Sequence, residues 1–108
     1  MVEVIITEPA EYDLIDIEYY IGIELENMSS AERITDGIIA QIEQLADMPK
    51  KYKLVDDILL ENLGIRMSYF ENYNIFFKYN EQEDIVYVLR VLYNKADWKK
   101  IIHIHYGK

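Results

Sequence analysis

The sequence predicts an α+β domain in which a helical hairpin packs on a small, mainly antiparallel sheet, with the element order β-α-α-β-β-β. Three observations lead to this fold. The first half contains two stretches where apolar residues recur every three or four positions, as on one face of a helix. The second half contains three apolar segments separated by two short polar turns, as in hairpin-connected strands. Residues 1–108 are expected to form one domain.

The N-terminal half is predicted to form one strand followed by two helices. Residues 2–7 are a short apolar run typical of a strand, and Pro9 suits the first position of the next helix. Ser29 and Glu32 match a capping box for the second helix, which Pro49 ends because proline disfavours helical conformation in the residue before it. Two helices with so short a link form an antiparallel hairpin. Their apolar faces carry Ala10, Leu14, Ile17, Ile21 and Leu25 in the first helix, and Ala31, Ile34, Ile38, Ile42 and Leu45 in the second.

The C-terminal half is predicted to supply three strands, at residues 63–70, 73–80 and 85–93, after a loop over residues 49–62. Glu71 and Asn72 form a two-residue turn in which Asn72 tolerates a positive φ. Residues 81–84 form a polar turn, and links this short require antiparallel neighbours. The apolar residues of the final segment, 99–108, fit either an edge strand or a short helix.

Charge is distributed unevenly along the chain, whose net charge is -9. Residues 1–50 carry twelve acids and two bases, whereas residues 51–108 carry eight acids and nine bases. Because lysine and arginine supply most of the affinity for a phosphate backbone, unspecific nucleic-acid binding is not expected. Any chemistry with anions is expected in the second half.

The composition also excludes several classes of protein. The chain has no cysteine, so disulfides and thiolate chemistry are absent. No apolar run approaches the roughly 18 residues that span a membrane, and the N-terminal segment lacks the features of a signal peptide. A soluble cytoplasmic protein without a membrane partner is expected.

Arg90 is the most informative residue, because it interrupts the otherwise apolar strand 86–93. A strand this apolar is expected in the centre of a sheet, where a charged side chain needs a partner. Arg90 therefore either pairs with a carboxylate or opens into a groove that receives an anion. Arg66 lies on an earlier strand. If both arginines face the same side of the sheet, they form a two-arginine site for phosphate or carboxylate; otherwise each pairs with an acid of the helices.

Tyr93 ends the same strand and is a candidate acid, base or stacking group. His103 and His105 have the spacing that places two rings on one face of a strand, but no third ligand accompanies them, so no metal is expected. No glycine-rich phosphate loop is present, and no cofactor is expected. The remaining strand tyrosines are expected in the core of the sheet with their hydroxyls in water, namely Tyr69, Tyr73, Tyr79 and Tyr87.

The chain resembles the RelE/ParE family of type II toxins from about residue 4 to residue 102. The resemblance rests on the order and spacing of its motifs. The motifs are Thr7-Glu8-Pro9-Ala10, Asp13-Leu14 and Tyr20-Ile21 in the first helix, Ala31-Glu32-Arg33-Ile34 and the helix end at 42–49, then Gly64-Ile65-Arg66, Tyr73-Asn74-Ile75-Phe76-Phe77, and Leu89-Arg90-Val91-Leu92-Tyr93 with Asp97-Trp98.

The resemblance implies a growth-inhibiting, plasmid-stabilising toxin that a cognate antitoxin, encoded beside it, wraps and neutralises. ParE-like members poison DNA gyrase, and no nucleolytic site is assigned to them, whereas RelE-like members enter the ribosomal A site and cut mRNA. The long helical hairpin and the arginine-valine-leucine ending favour the ParE-like branch. In the RelE-like alternative, Arg66 and Arg90 hold the scissile phosphate, and Tyr93 is the candidate acid, base or stacking group.

Departures from the family pattern weaken the ribonuclease alternative. The stretch after Tyr93, commonly glycine and arginines in relatives, is Asn94-Lys95-Ala96 here, and the hairpin at residues 67–72 lacks basic residues. An attenuated homologue that only binds its antitoxin is a third possibility. Operator DNA binding is expected to belong to the antitoxin, because this chain has no basic DNA-reading helix. A homodimer and a toxin–antitoxin heterotetramer both remain compatible with the sequence.

Overall fold

The computed structural model describes residues 2–106 and has the predicted element order. One helix is additional, within the predicted loop 49–62, and the final segment forms a helix, which was one of its two predicted alternatives. Strand β1 (Glu3–Ile6) leads into helix α1 (Glu8–Tyr19), which continues as a π-helical turn (Tyr20–Glu24) before helix α2 (Met28–Gln44). A 3₁₀ turn (Pro49–Lys51) and helix α3 (Ile58–Asn62) precede strands β2 (Ile65–Phe70), β3 (Tyr73–Asn80) and β4 (Ile85–Tyr93). Helix α4 (Trp98–Tyr106) follows. None of the described helices is long and apolar enough to cross a membrane.

The four strands form one sheet in the order β1-β4-β3-β2. Strand β4 pairs in parallel with β1 and antiparallel with β3, and β2 completes an antiparallel hairpin with β3. The predicted α+β class, the mainly antiparallel sheet and the interior position of the last strand are therefore confirmed.

Both faces of the sheet are covered, which explains the nearly continuous apolar sequence of β4. Helices α1 and α2 cover one face, and α3 and α4 cover the other. The first core combines Ala10, Ile34, Ile38, Ile42 and Leu45 of the helices with Ile75, Phe77, Val86, Val88 and Val91 of the sheet. The second core combines Leu60 and Ile102 with Ile65, Phe76, Leu89 and Leu92.

A β-bulge in β4 changes which residues face each core. Phe77 pairs with Val88 and Phe76 pairs with Arg90, so Leu89 is the extra residue. After the bulge the alternation of side chains is shifted by one position. Arg90 also lies on the part of β4 that extends beyond β1, because β1 ends at Ile6, which is paired with Val88.

The start of α2 differs from the prediction. Asn27 is the N-cap, because its side-chain Oδ1 accepts the backbone N–H of Ser30 at 3.1 Å, and Ser29 Oγ donates to the same oxygen at 3.2 Å. The predicted capping box of Ser29 with Glu32 is therefore wrong, because Asn27, two residues earlier, already accepts a backbone N–H of the first turn. The helix ends at Gln44, with Leu45 as its C-cap, so it stops before Pro49 can act on it and the predicted role of Pro49 in ending it is wrong.

Residues 49–62 are more ordered than the predicted loop. Asp57 caps α3 by accepting the N–H of Leu60 at 3.1 Å. The sequence did not predict this helix because five residues are too few to show an apolar period. Gly64, with φ +80°, separates α3 from β2, so this strand begins at Ile65 and not at residue 63. In the β2–β3 turn the positive φ belongs to Glu71, at 50°, and not to Asn72.

The final segment is a helix, so the two histidines do not share a face as they would on a strand. Residues 107 and 108 of this segment lie outside the described residues. Among the strand tyrosines, Tyr69 is 67% exposed on the edge strand β2, contrary to the prediction. Tyr79 and Tyr87 donate their hydroxyls to Asp84 at 2.6 Å and Glu83 at 2.8 Å, where water was expected.

Candidate functional site

A cleft of about 920 Å³ lies between the helical hairpin and the end of the sheet that carries the β2–β3 turn. Two of the three candidate residues, Arg90 and Tyr93, line this cleft, whereas Arg66 does not. Its walls combine apolar, aromatic and charged side chains. The lining includes Asp13, Asp16, Ile17, Tyr20, Ile21 and Leu25 of the first helical segment, Arg33 and Ile34 of α2, Glu71 and Asn72 of the turn, and Tyr73, Arg90, Val91, Leu92 and Tyr93 of the strands.

Arg90 is engaged by a carboxylate at the back of the cleft. Its Nε donates to Asp13 Oδ2 at 2.7 Å and its Nη2 donates to Asp13 Oδ1 at 2.8 Å, which is the bidentate geometry that arginine forms with carboxylates. The Arg90 and Asp13 side chains are only 15% and 9% exposed. The hydrogen bond with Asp13 raises the pKa of Arg90, and burial acts in the opposite direction. The first of the two alternatives for Arg90, pairing with an acid, is therefore confirmed.

Asp13 also completes the edge of the sheet. The backbone N–H of Val91 donates to Asp13 Oδ2 at 2.9 Å, at a position where β1 has already ended. A buried backbone N–H without an acceptor is costly, so this carboxylate takes the place of the missing strand.

The chain reaches this arrangement because α1 starts directly where β1 ends. Thr7 donates its backbone N–H to the carbonyl of Val88 at 3.1 Å, and its Oγ1 donates to the same carbonyl at 2.7 Å. Pro9 fits the first turn of α1, because proline has no backbone N–H and an N–H at this position would have no acceptor within the helix. The helix then runs along the uncovered edge of β4, and Asp13 is the residue that meets Val91.

Arg66 binds backbone carbonyls, which neither sequence-based alternative anticipated. Its Nη1 donates to the carbonyl of Tyr52 at 2.7 Å and to that of Lys50 at 3.4 Å. These contacts fasten the segment before α3 to β2. The structure does not join Arg66 and Arg90 in one site, since they have different partners and only Arg90 lines the cleft.

Arg33 is the cationic residue of the cleft that sequence reasoning missed. It lies on α2 and forms an exposed ion pair with Glu71, across the gap between α2 and the β2–β3 turn. It was not predicted because anion chemistry was expected only in the second half of the chain, and Arg33 lies in the acid-rich first half. The sequence feature that pointed to it is its place next to Ile34, a core position near the start of α2.

The tyrosines form the aromatic part of the cleft. Tyr93 is 44% exposed, and its ring contacts the ring of Tyr73 edge-on, with 5.8 Å between centroids. Burial raises the pKa of Tyr73 above its ordinary value of 10.0, and the neighbouring Tyr93 and Tyr20 act in the same direction. The Tyr73 hydroxyl is therefore protonated at neutral pH and is not poised to act as a base.

The arrangement suits binding of a polypeptide better than handling of a phosphate. All three arginines of the chain are engaged in the described structure: Arg33 by Glu71, Arg66 by carbonyls and Arg90 by Asp13. The cleft itself has mixed apolar and polar walls, which is typical of a binding site. Within residues 2–106, no three histidine or acidic side chains converge as they would around a metal ion. His103 instead contacts Asp57, with 2.9 Å between Nε2 and Oδ2.

Comparisons with known proteins identify the family. Residues 4–98 match the family model described as the ParE toxin of the type II toxin–antitoxin system parDE. No match was found among curated proteins. Among solved structures, the chromosomal ParDE toxin–antitoxin system from P. aeruginosa aligns with a TM-score of 0.72 and 18% identity, over 86% of this chain and 96% of that chain.

A second solved structure, the RelBE2 toxin–antitoxin complex from Mycobacterium tuberculosis, aligns with a TM-score of 0.64 and 18% identity, over 85% of this chain and 96% of that chain. These two similarities show the fold. The family model spans most of the chain and includes Asp13, Arg66, Arg90 and Tyr93. The chain therefore belongs to the ParE toxin family of type II toxin–antitoxin systems.

Proposed function

We propose that this chain is a toxin that a cognate antitoxin holds inactive and that, when free, inhibits growth by acting on DNA gyrase. Family membership supports the toxin role, and the two similar solved structures are toxin–antitoxin systems. The observation that carries the choice of a protein target is the state of the arginines. Each of the three already has a partner within the described structure.

Cleavage of RNA requires cations that stabilise the dianionic phosphorane and groups that transfer protons. Arg90 lies against the carboxylate of Asp13, so a phosphate at this position would meet a cation whose charge an adjacent, nearly buried acid already offsets. The acids Asp13, Asp16 and Glu71 also line the cleft, and the net charge of -9 opposes approach to RNA. These features favour a protein target over a ribonuclease site at Arg66, Arg90 and Tyr93.

We propose that the cleft is the binding site of an antitoxin segment. Tyr20 and Tyr93 at its walls are 50% and 44% exposed, and aromatic side chains of this kind dominate the energetics of protein interfaces. An antitoxin that covers them would also cover Arg33 and Glu71 at the cleft mouth.

The test begins with co-purification of the chain with the product of the adjoining gene, followed by release of the free chain. Gyrase supercoiling and DNA-cleavage assays are then run beside an in vitro translation reaction in which mRNA integrity is read. We expect inhibition of gyrase with intact mRNA, and recovery of gyrase activity when the antitoxin is returned. Unaffected gyrase at high molar excess of the chain would contradict the proposal.

The alternatives give different results in the same experiment. Transcripts cut on translating ribosomes, with loss of cutting in the Arg90→Lys variant, would support a RelE-like mRNA endonuclease. Harmless expression without the antitoxin would support a homologue that only binds its antitoxin. Pulse-labelling of DNA and protein synthesis after induction separates these outcomes in cells.

A further inference from the structure

Helix α1 and the π-helical turn that continues it carry large apolar side chains on the face that points away from the core. Tyr12, Ile15 and Tyr19 of α1 and Ile23 of the turn are 59%, 62%, 57% and 54% exposed. The opposite face of this helical segment supplies Ala10 and Ile21 to the first core. Their spacing of three or four residues places them in one row, here called the outer row, about 16 Å long. A helix that is apolar on two faces is typical of one that is covered on both.

The charges beside the outer row all have the same sign. Glu8, Glu11, Glu18 and Glu24 are exposed on this helical segment, and the first basic residue of the chain is Arg33 on α2. The surface is therefore an apolar row with negative flanks. Its chemical complement is an apolar row with positive flanks.

Two other occupants fit this surface poorly. A second copy of the chain would bring the same acids against each other across a two-fold interface, and like charges in apposition are costly. An anionic membrane surface repels the same glutamates. An amphipathic helix that carries lysine and arginine fits both the apolar row and its negative flanks. Its apolar residues repeat with the same period as the outer row, and its basic residues lie beside the glutamates.

We propose that the outer row of α1 is the docking surface for a basic amphipathic helix of the antitoxin, in addition to the antitoxin segment in the cleft. The inference rests on the proposed function for the identity of that partner. The two surfaces are adjacent, because Tyr19 belongs to the outer row and the next residue, Tyr20, lines the cleft. One continuous antitoxin chain can therefore cover both.

The test measures the affinity of the chain for the purified product of the adjoining gene. Two double variants change the outer row: Ile15→Ser with Tyr19→Ser removes apolar anchors, and Glu11→Lys with Glu18→Lys reverses the flanks. The matched control, Ile39→Ser with Glu43→Lys, makes the same kinds of change at exposed positions of α2. All substituted side chains are exposed, so the fold is retained, which circular dichroism verifies.

We expect each outer-row variant to weaken the complex at least about tenfold, as loss of interface anchors does, while the control stays within about twofold. Added salt should weaken the wild-type complex, and the Glu11→Lys/Glu18→Lys variant should lose that dependence. A photoreactive residue at Tyr19 should crosslink to the antitoxin, and one at Ile39 should not.

Results that contradict the docking surface can be distinguished from results that contradict the toxin role. If the outer-row variants bind the antitoxin with wild-type affinity and are neutralised in cells, the docking surface is overturned and the toxin role stands. If the wild-type chain neither binds that protein nor inhibits growth, the proposed function and the inference are overturned together. A crosslinked homodimer through Tyr19 would identify a second copy as the occupant and overturn the inference.

Discussion

Asp13 and Arg90 form a bidentate ion pair at the edge of β4, and the same carboxylate accepts the backbone N–H of Val91. One side chain of α1 thus satisfies two guanidinium donors and one strand donor, 77 and 78 positions away in the sequence. The pair fixes the helical hairpin to the last part of β4. It therefore shapes the back of the cleft and offsets the positive charge that Arg90 would present to an anionic ligand.

Replacement of Asp13 by alanine should destabilise the fold by about 3 kcal/mol, because it leaves a largely buried guanidinium and a strand N–H without their acceptor. Urea denaturation followed by circular dichroism measures the change. The double variant Asp13→Ala/Arg90→Ala should lose less than the sum of the two single variants, since the two side chains interact directly. Additive losses would show that the pair contributes little to stability.

The exposed pair in the same cleft provides the comparison. Arg33 and Glu71 side chains are 60% and 42% exposed, so solvent screens their attraction. We expect Arg33→Ala and Glu71→Ala each to change the free energy of unfolding by less than about 1 kcal/mol. A loss as large as that of Asp13→Ala would contradict this ranking.

Gly37 allows the ring of Phe70 to lie directly against α2. A methyl group at Gly37 would collide with three ring carbons of Phe70, the last residue of β2 before the Glu71–Asn72 turn. Although alanine favours helix by about 1 kcal/mol relative to glycine, Gly37→Ala should destabilise the fold by about 1–3 kcal/mol, because the crowded ring must shift. Thermal unfolding of the variant and the wild type measures this loss of stability.

The control for this prediction is a compensating change. Phe70→Leu removes most of the colliding atoms, so adding it to Gly37→Ala should recover part of the lost stability, whereas Phe70→Leu alone should destabilise. A Gly37→Ala variant more stable than wild type would mean that helix propensity outweighs the collision.

Asp57 is expected to make stability depend on pH in the acid range. The hydrogen bond from His103 is the main cause that lowers the pKa of Asp57 below its ordinary value of 3.8, and the capping bond from Leu60 adds to it. A depressed pKa in the folded state stabilises the fold above 3.8, and this stabilisation disappears as the pH falls through the folded-state value. Asp57→Asn should therefore lower Tm at neutral pH, and the difference from wild type should shrink below pH 3.8.

The partner of Asp57 supplies the control. His103→Gln should move the acid transition to higher pH, because it removes the main group that lowers the pKa of Asp57, and the smaller effect of Lys99 remains. His105→Gln, at an exposed position of the same helix, should leave the transition unchanged. Identical acid transitions for all three proteins would rule out the Asp57–His103 contact as the cause.

Tyr93→Phe tests the role of the aromatic residue at the cleft. The ring contact with Tyr73 survives this change, and a gyrase-directed toxin needs no proton transfer from the hydroxyl. We expect growth inhibition and antitoxin binding within about twofold of wild type. Removal of a catalytic acid or base would instead lower the activity by roughly 10²–10⁴-fold. A loss of that size would favour the mRNA endonuclease alternative.

Local patterns in the sequence predicted most of the elements. The apolar period of the helices and the short polar turns between strands depend on neighbours along the chain, so the three strands of the second half and both long helices appear within a few residues of the predicted bounds. The short helix α3 was missed because five helical residues show no apolar period. The N-cap at Asn27 was missed because Ser29, two residues later, is an equally suitable capping residue by type.

The sequence alone determined the fold class, the interior position of β4 and the need of Arg90 for a partner, since each follows from hydrophobicity and the cost of an isolated buried charge. Only the tertiary structure decided that Asp13 is that partner, that Arg66 binds carbonyls and that Tyr93 lies beside Tyr73. These contacts join residues distant in the chain. They depend on the strand order and on the bulge at Leu89, where one extra residue shifts the alternation of every later side chain.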